Sequence, residues 1–245
     1  MVNYVMRKLI KRVAKKAAYQ ILMGRLIRKN QHEFGRFLKH DVDRFLNDTW
    51  QNVDKLIPEA QLEKLPTQGN RLNVSLAVLT IGAYHALLSA DVEEDYAIEL
   101  VADIGWKIYI VFLPLMKIIT RCYSRNPQKQ INLILRALEV YPFSIPGKPG
   151  YECKKWAETD CLCTYYTHCP PSEFVRQYVK KHGDKGELKT FQRSWCNYDW
   201  ALMYAMVDGR FGVRGHYERP HTLSAGDDIC DMRWYAEAPS IKDQG

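Results

Sequence analysis

Hydrophobic and polar positions follow two different periods along the chain. Up to about Tyr141 the apolar residues recur three and four apart, the spacing of a helix face. Near the N-terminus the apolar pairs Val5-Met6, Leu9-Ile10, Val13-Ala14 and Ala17-Ala18 alternate with the basic pairs Arg7-Lys8, Lys11-Arg12 and Lys15-Lys16. That alternation draws one apolar and one basic stripe on a helix. Between Asn30 and Val53 the spacing of Phe34, Phe37, Leu38, Val42, Phe45 and Leu46 predicts a second helix. The segment 66–70 (Pro-Thr-Gln-Gly-Asn) breaks the pattern, and Leu72 to Leu88 predicts a buried helix. Ser89-Ala90-Asp91 reads as a cap, acting through Glu94, for a helix running from Asp91 to Ile119 and kinked at Pro114. Asn126-Pro127 starts a last helix that runs to Val140.

Pro142, Pro146, Gly147, Pro149 and Gly150 mark a linker, and the pattern then changes. Cys161 to Thr167, Phe211 to Tyr217 and Ile229 to Tyr235 read as strands, with helices over Pro171 to Lys181 and Thr190 to Val207. The expected fold is α+β: an N-terminal all-α helical half followed by a small antiparallel sheet with helices. Its expected divisions are a basic amphipathic helix at 1–29, a helical subdomain at 30–141, the Pro/Gly linker at 142–152, and a Cys- and aromatic-rich α+β subdomain at 153–245.

Charge changes the picture of the first helix. The chain of 245 residues carries a formal charge of +7, yet residues 1–29 hold nine Lys/Arg and no acid, leaving −2 for the rest. The basic helix therefore either packs on its neighbours with a solvated face or lies on an anionic membrane surface. The body is not basic and shows neither zinc-finger spacing nor a phosphate loop, so no nucleic-acid partner is expected. The apolar stretch 101–119 is interrupted by Asp103, Lys107, Pro114 and Lys117, which excludes a membrane span there. Charges recur through the N-terminal segment in place of a secretory apolar core. The expected location is the cytoplasm, peripheral to the membrane if residues 1–29 bind it, with the seven cysteines as thiols. The oligomeric state is left open.

Chemistry-bearing residues cluster in the second half. Cys169 stands at the exit of a strand and the start of a helix, where the helix dipole favours the thiolate, with His168 beside it. Helical spacing would set Cys196, Asp199, Trp200 and Met203 on one face, a thiol and a carboxylate among aromatics. The segment 219–231 carries Arg219, His221, Asp227 and Asp228 ahead of Cys230 and Asp231. Strand alternation sends Cys230, Met232 and Trp234 to one face and Asp231, Arg233 and Tyr235 to the other. Asp231 could pair with Arg233 or Arg219. The spacing of Cys153, Cys161, Cys163 and Cys169 matches no zinc knuckle, so no metal or other cofactor is expected. A zinc or cluster site shared by Cys169, Cys196 and Cys230 is the alternative.

Three motifs together resemble the L-2-amino-thiazoline-4-carboxylic acid hydrolase family: Tyr165-x-x-x-Cys169, Trp195-Cys196-x-x-Asp199, and the run from Arg219 through Thr222-Leu223, Gly226-Asp227-Asp228 and Cys230-Asp231-Met232. The helical half, around Ala83-Tyr84-His85-Ala86, is similar as well. The resemblance covers roughly residues 72–235 and leaves the basic helix outside. It implies a thiol-dependent hydrolase of a cyclic amidine, or a related ring-opening or ring-closing enzyme of specialised metabolism. Water would add to C2 of a thiazoline ring, and N-carbamoyl-cysteine would result. By position, Cys169, Cys196 and Cys230 would be the thiol set and Asp199 the acid/base, with His221 a secondary base. Arg219 or Arg233 would hold the substrate carboxylate, and Tyr165, Trp200 and Asp227 would complete the substrate-binding set. Two other readings stand beside it. One is a lyase or cyclase of a prenyl-type substrate, with magnesium held by Asp227, Asp228 and Asp231. The other is a non-catalytic module holding an apolar ligand among Trp195, Tyr198, Trp200 and Trp234.

Overall fold

A computed structural model of the chain describes residues 4–29, 32–112, 118, 122–124, 126–199 and 216–236. The fold is α+β, with a helical N-terminal half and a small antiparallel sheet in the C-terminal half.

Helix α1 (Tyr4–Leu22) turns its apolar stripe inward, where Ala14, Ala17, Ala18, Ile21 and Leu22 are buried. Its cations stay outside: Lys11 lies 4.8 Å above the ring of Trp50, and Arg7 pairs with Asp54 at 2.5 Å. The expected helix over 30–53 begins only at Lys39. A hairpin of β1 (Leu26–Lys29) and β2 (His32–Arg36) precedes it, and Phe34, which fits the helical spacing, is exposed. Gly35 takes φ 115°, a conformation open to glycine and strained for other residues. Helix α2 (Lys39–Leu56) then starts with the Leu38 amide donating to Asp41.

Helix α3 (Gln68–Ser89) is the central element, capped by Thr67, whose hydroxyl accepts from the Asn70 amide at 3.1 Å. By length and composition it could cross a bilayer, but most of it is buried inside the protein, against α2 and the C-terminal helices. Fully burying an aliphatic side chain contributes roughly 1.5–3 kcal/mol, and Val74, Val78, Ile81 and Leu87 are all at or near zero exposure. Helix α4 runs over Glu94–Tyr109, starting later than expected, and passes into a 3-10 turn at Ile110–Phe112. Asp91 does not cap it; the residue sits at φ 56° and pairs with Lys29. The expected kink at Pro114 lies outside the described residues. Helix α5 (Pro127–Val140) is capped as expected by Asn126, whose side chain accepts from the Lys129 amide.

Segment 142–152 is tied onto α3. Asn70 donates to the Ser144 carbonyl at 3.0 Å, Asn73 donates to the Pro142 carbonyl and to Tyr151 Oη, and Tyr151 is buried.

The second half forms a four-stranded antiparallel sheet in the order β3-β4-β6-β5, built from β3 (Glu152–Ala157), β4 (Cys161–His168), β5 (His216–Glu218) and β6 (Cys230–Tyr235). The register pairs Tyr166 with Cys230, Thr164 with Met232 and Leu162 with Trp234. These residues share one face, which packs on α5 through Ile131 and Leu135. The opposite face carries Cys161, Cys163, Tyr165, Arg233 and Tyr235. Helix α6 (Pro170–His182) and the short α7 (Glu187–Phe191) fold back onto α3, and a π turn (Gln192–Cys196) follows.

Candidate functional site

Three separated elements deliver three thiols to one place. Cys169 is the residue before α6, Cys196 ends the π turn, and Cys230 opens β6 on the face shared with Tyr166. A hydroxyl chain joins two of them: Cys196 Sγ lies 3.1 Å from Ser224 Oγ, which lies 3.1 Å from Thr222 Oγ1, which lies 3.4 Å from Cys230 Sγ. The Leu223 amide also donates to Cys230 Sγ at 3.2 Å. Thr222 and Ser224 stand in a loop closed by Asp227, whose carboxylate accepts from the Thr222 amide at 2.7 Å.

Asp199 sits against this group. Its carboxylate accepts from Arg219 Nη1 at 3.3 Å and Tyr217 Oη at 3.4 Å. Arg219 Nη2 also donates to the Cys196 carbonyl at 2.7 Å, and the guanidinium is nearly buried. Burial pushes the Asp199 carboxyl up to about 6, although Arg219 and Tyr217 act to lower it. Burial likewise raises all three thiols, and the negative charge of Asp199 raises each one further. Arg219 and Ser224 offset part of this at Cys196, and Thr222 and the Leu223 amide part of it at Cys230.

The resting thiols are therefore protonated at neutral pH, against the expectation of a thiolate at Cys169. The helix dipole contributes about 0.3–1 kcal/mol at an exposed site, and desolvation of a buried ion outweighs that. Asp199 is the group that titrates near neutrality. The arrangement can carry a thiol nucleophile, a proton acceptor beside it and hydroxyls to relay a proton.

Several residues expected at the site are elsewhere. Tyr165 and Arg233 lie on the opposite face of the sheet from Cys230, where Tyr165 packs on Trp156 with ring centroids 4.4 Å apart. His221 is more than half exposed and turns to Asp231, which accepts from its backbone amide at 2.7 Å and meets its Nδ1 at 3.0 Å. That partner raises the His221 pKa. Asp231 thus pairs with His221, not with Arg233 or Arg219. Asp227 serves its own loop, and Arg219 is engaged by Asp199 and the Cys196 carbonyl, so neither is open to substrate. His168 is held by the Gly150 carbonyl at 2.6 Å. Asp227 and Asp231 are taken up by the same loop, accepting from the adjacent Thr222 and His221 amides. Trp234 packs on Tyr217 and donates to Thr164, so it belongs to the sheet core. Trp200 and Met203 lie outside the described residues.

Of the residues that complete the site, Thr222 belongs to the Arg219–Met232 run, whereas Ser224, Tyr217, Tyr151 and Tyr166 were not singled out by sequence; burial first, and the nearby Cys169 and Asp199, raise the Tyr151 and Tyr166 phenols. For Tyr166 the signal is strand parity, since it stands opposite Cys230. Among the described residues the group able to hold a metal ion is a different one, Glu158, Cys161 and Cys163, with donor atoms within 4.8 Å of one another. It lies on the far face of the sheet. Burial pushes Cys163 up to about 12, with Cys161 adding to the shift.

Comparison of the chain with protein-family models, with curated proteins and with solved structures finds no match in any of the three.

Proposed function

We propose that the chain is a thiol-dependent hydrolase acting on a cyclic amidine or a related small ring. The reading rests on one observation: Ser224 and Thr222 join the Cys196 and Cys230 sulfurs, and one guanidinium, Arg219, holds both Asp199 and the Cys196 carbonyl, with Cys169 near enough to feel these charges. Cys196 is the nucleophile in this reading. Its carbonyl and Asp199 are bound by the same guanidinium, and its sulfur opens onto the hydroxyl relay.

In the first step the Cys196 Sγ–C2 bond forms as the ring C2–S bond breaks. Asp199 accepts the thiol proton, which passes to the departing ring sulfur. In the second step water forms the C2–O bond as C2–Sγ breaks, and one water proton returns to Cys196. The net change is the addition of one water, giving a carbamoyl product. General acid–base help of this kind contributes typically 10²–10⁴-fold.

The test is turnover of 2-amino-thiazoline-4-carboxylate by the full chain, with N-carbamoyl-cysteine as the product measured. The wild type forms it, Cys196→Ser loses at least about a hundredfold in kcat/KM, and Asp199→Asn loses a similar factor. Absence of product in the wild type, or its survival when Cys169, Cys196 and Cys230 are all changed to Ser, contradicts the reading.

A further inference from the structure

A second feature stands beside the thiol site: a cavity of about 470 Å³ enclosed by α1, α2, α3, α4 and α5, with Trp195 and Tyr198 in its wall. That volume falls in the range of ligand pockets, roughly 300–1,000 Å³. It is several times the size of an engineered apolar cavity of about 150 Å³ that stays dry and takes up benzene. Packed interiors contain few voids larger than a water molecule, because the side chains around a void lose contacts on one side. Small residues on several helices line this one, among them Ala14, Ala18 and Ala83, while Gly105 makes room for the Tyr198 hydroxyl.

Five polar side chains in the wall, Thr49, Asn73, Thr80, Trp195 and Tyr198, have hydrogen-bond partners. Thr49 donates to the Phe45 carbonyl, and Thr80 donates to the Leu76 carbonyl and accepts from Trp195. Asn73 donates to Pro142 and Tyr151, and Tyr198 donates to the Ala102 carbonyl at 2.8 Å. A buried water needs two to four polar partners, and this wall offers little to it. It matches hydrocarbon. Leu9 and Tyr141, both in the lining, are nearly half exposed, so the cavity reaches solvent between α1 and α5. At the α1–α2 edge Lys11 lies over Trp50, itself a lining residue, and Arg7 follows one turn away.

We propose that this cavity binds one long hydrocarbon chain of fatty-acid type, with its anionic head at the α1 edge beside Lys11. Charge complementarity sets the head: α1 carries six cations and no acid, and of these Arg7 is paired with Asp54. The largely aliphatic and aromatic wall sets the tail. Binding here needs no turnover, so it stands or falls separately from the thiol chemistry.

The experiment is titration of the full chain with palmitate and with hexadecanol, both below their aggregation concentrations, followed by calorimetry. Dibromostearate is added in parallel as a quencher of Trp50 and Trp195 fluorescence. One palmitate per chain is expected, with quenching that saturates at the same stoichiometry. Ala14→Phe fills the cavity and weakens both ligands at least about tenfold, while Lys11→Glu weakens palmitate severalfold and leaves hexadecanol unchanged. The quenching arm needs no variant, so a poorly folded Ala14→Phe does not protect the proposal. Failure of the wild type to bind either ligand, dibromostearate that leaves the fluorescence unquenched, or unchanged binding by folded Ala14→Phe overturns the site. Equal loss of palmitate and hexadecanol, or no loss of palmitate, in Lys11→Glu overturns the placement of the head.

Discussion

The Arg219 guanidinium joins Asp199 to the backbone of Cys196: one nitrogen donates to the carboxylate at 3.3 Å and the other to the Cys196 carbonyl at 2.7 Å. The two residues stand three apart at the end of the π turn, so the cation ties the turn to the residues that follow it. Removing it leaves a carboxyl in a dry site without its positive partner. Arg219→Met is expected to destabilise the protein by about 3 kcal/mol, measured by urea unfolding at pH 7, and to raise the Asp199 pKa further. Unchanged stability would mean that the pair is incidental.

Asp199 also sets a pH dependence of stability. Burial raises its carboxyl from 3.8 in the unfolded chain to about 6 in the folded one, so the folded protein holds this proton more tightly. The contribution is fully present below about 3.8 and is lost as pH rises through 6. Two units correspond to about 3 kcal/mol. Measured against Asp199→Asn, which does not titrate there, the wild type should lose on the order of 2–3 kcal/mol between pH 4 and pH 7. Parallel stability curves for the two proteins would contradict this.

A second buried carboxylate behaves in the opposite sense. Glu187 is almost fully buried, 2.8 Å from His85 Nε2, and it accepts from the Lys185 amide at 2.5 Å. Burial alone would raise its pKa, but the hydrogen bonds from His85 and the Lys185 amide outweigh it and the pKa is lowered. Its contribution is present above the unfolded value of 4.5 and is lost as pH falls through the folded one. Tyr84 ties the same loop by donating to the Lys185 carbonyl, and Gly186, at φ 98°, leaves room for the Tyr84 hydroxyl. Glu187→Ala should cost about 3 kcal/mol at neutral pH, by urea unfolding. It should also speed alkylation of Cys196, because the loop leads through α7 into the π turn. No change in either readout would show that the loop does not position the site.

The fold class and the elements over Cys161–Thr167, Pro171–Lys181 and Ile229–Tyr235 were legible because alternation and helical spacing coincide there with burial; the expected helix Thr190–Val207 is broken by the π turn Gln192–Cys196, and its remainder from 200, like most of the expected strand Phe211–Tyr217, lies outside the described residues. The face of Cys230, Met232 and Trp234 was readable from parity alone. Parity could not say whether Tyr165 or Tyr166 joins Cys230, since that depends on the cross-strand register Tyr166–Cys230. The β1–β2 hairpin was hidden by Phe34, Phe37 and Leu38, whose spacing imitates a helix although Phe34 and Leu38 are exposed. Strand β3 was missed because it is an edge strand with most of its side chains in solvent and two adjacent lysines. The thiol motifs were found as separate clusters, but their bridge was not: Thr222 stands in the Arg219–Met232 run with no sign of its role, and Ser224 carries no sequence signature. Cysteine–serine proximity is set by how the 219–226 loop closes on Asp227. The cavity was not visible either, because an alanine facing a void reads like an alanine in a packed interface.

The central claim is that Cys169, Cys196, Cys230 and Asp199 form one electrostatic unit. Its most direct test is the alkylation rate of every cysteine in the native protein across pH, read peptide by peptide, in the wild type and in Asp199→Asn. In the wild type the three site thiols should react only at pH above the ordinary thiol value of about 8.5, well behind the exposed Cys122. Removing the Asp199 charge should move the midpoints of Cys169, Cys196 and Cys230 downward together and leave Cys153, Cys161 and Cys163 where they were. If the three midpoints stay fixed, or if all six move alike, the unit does not exist.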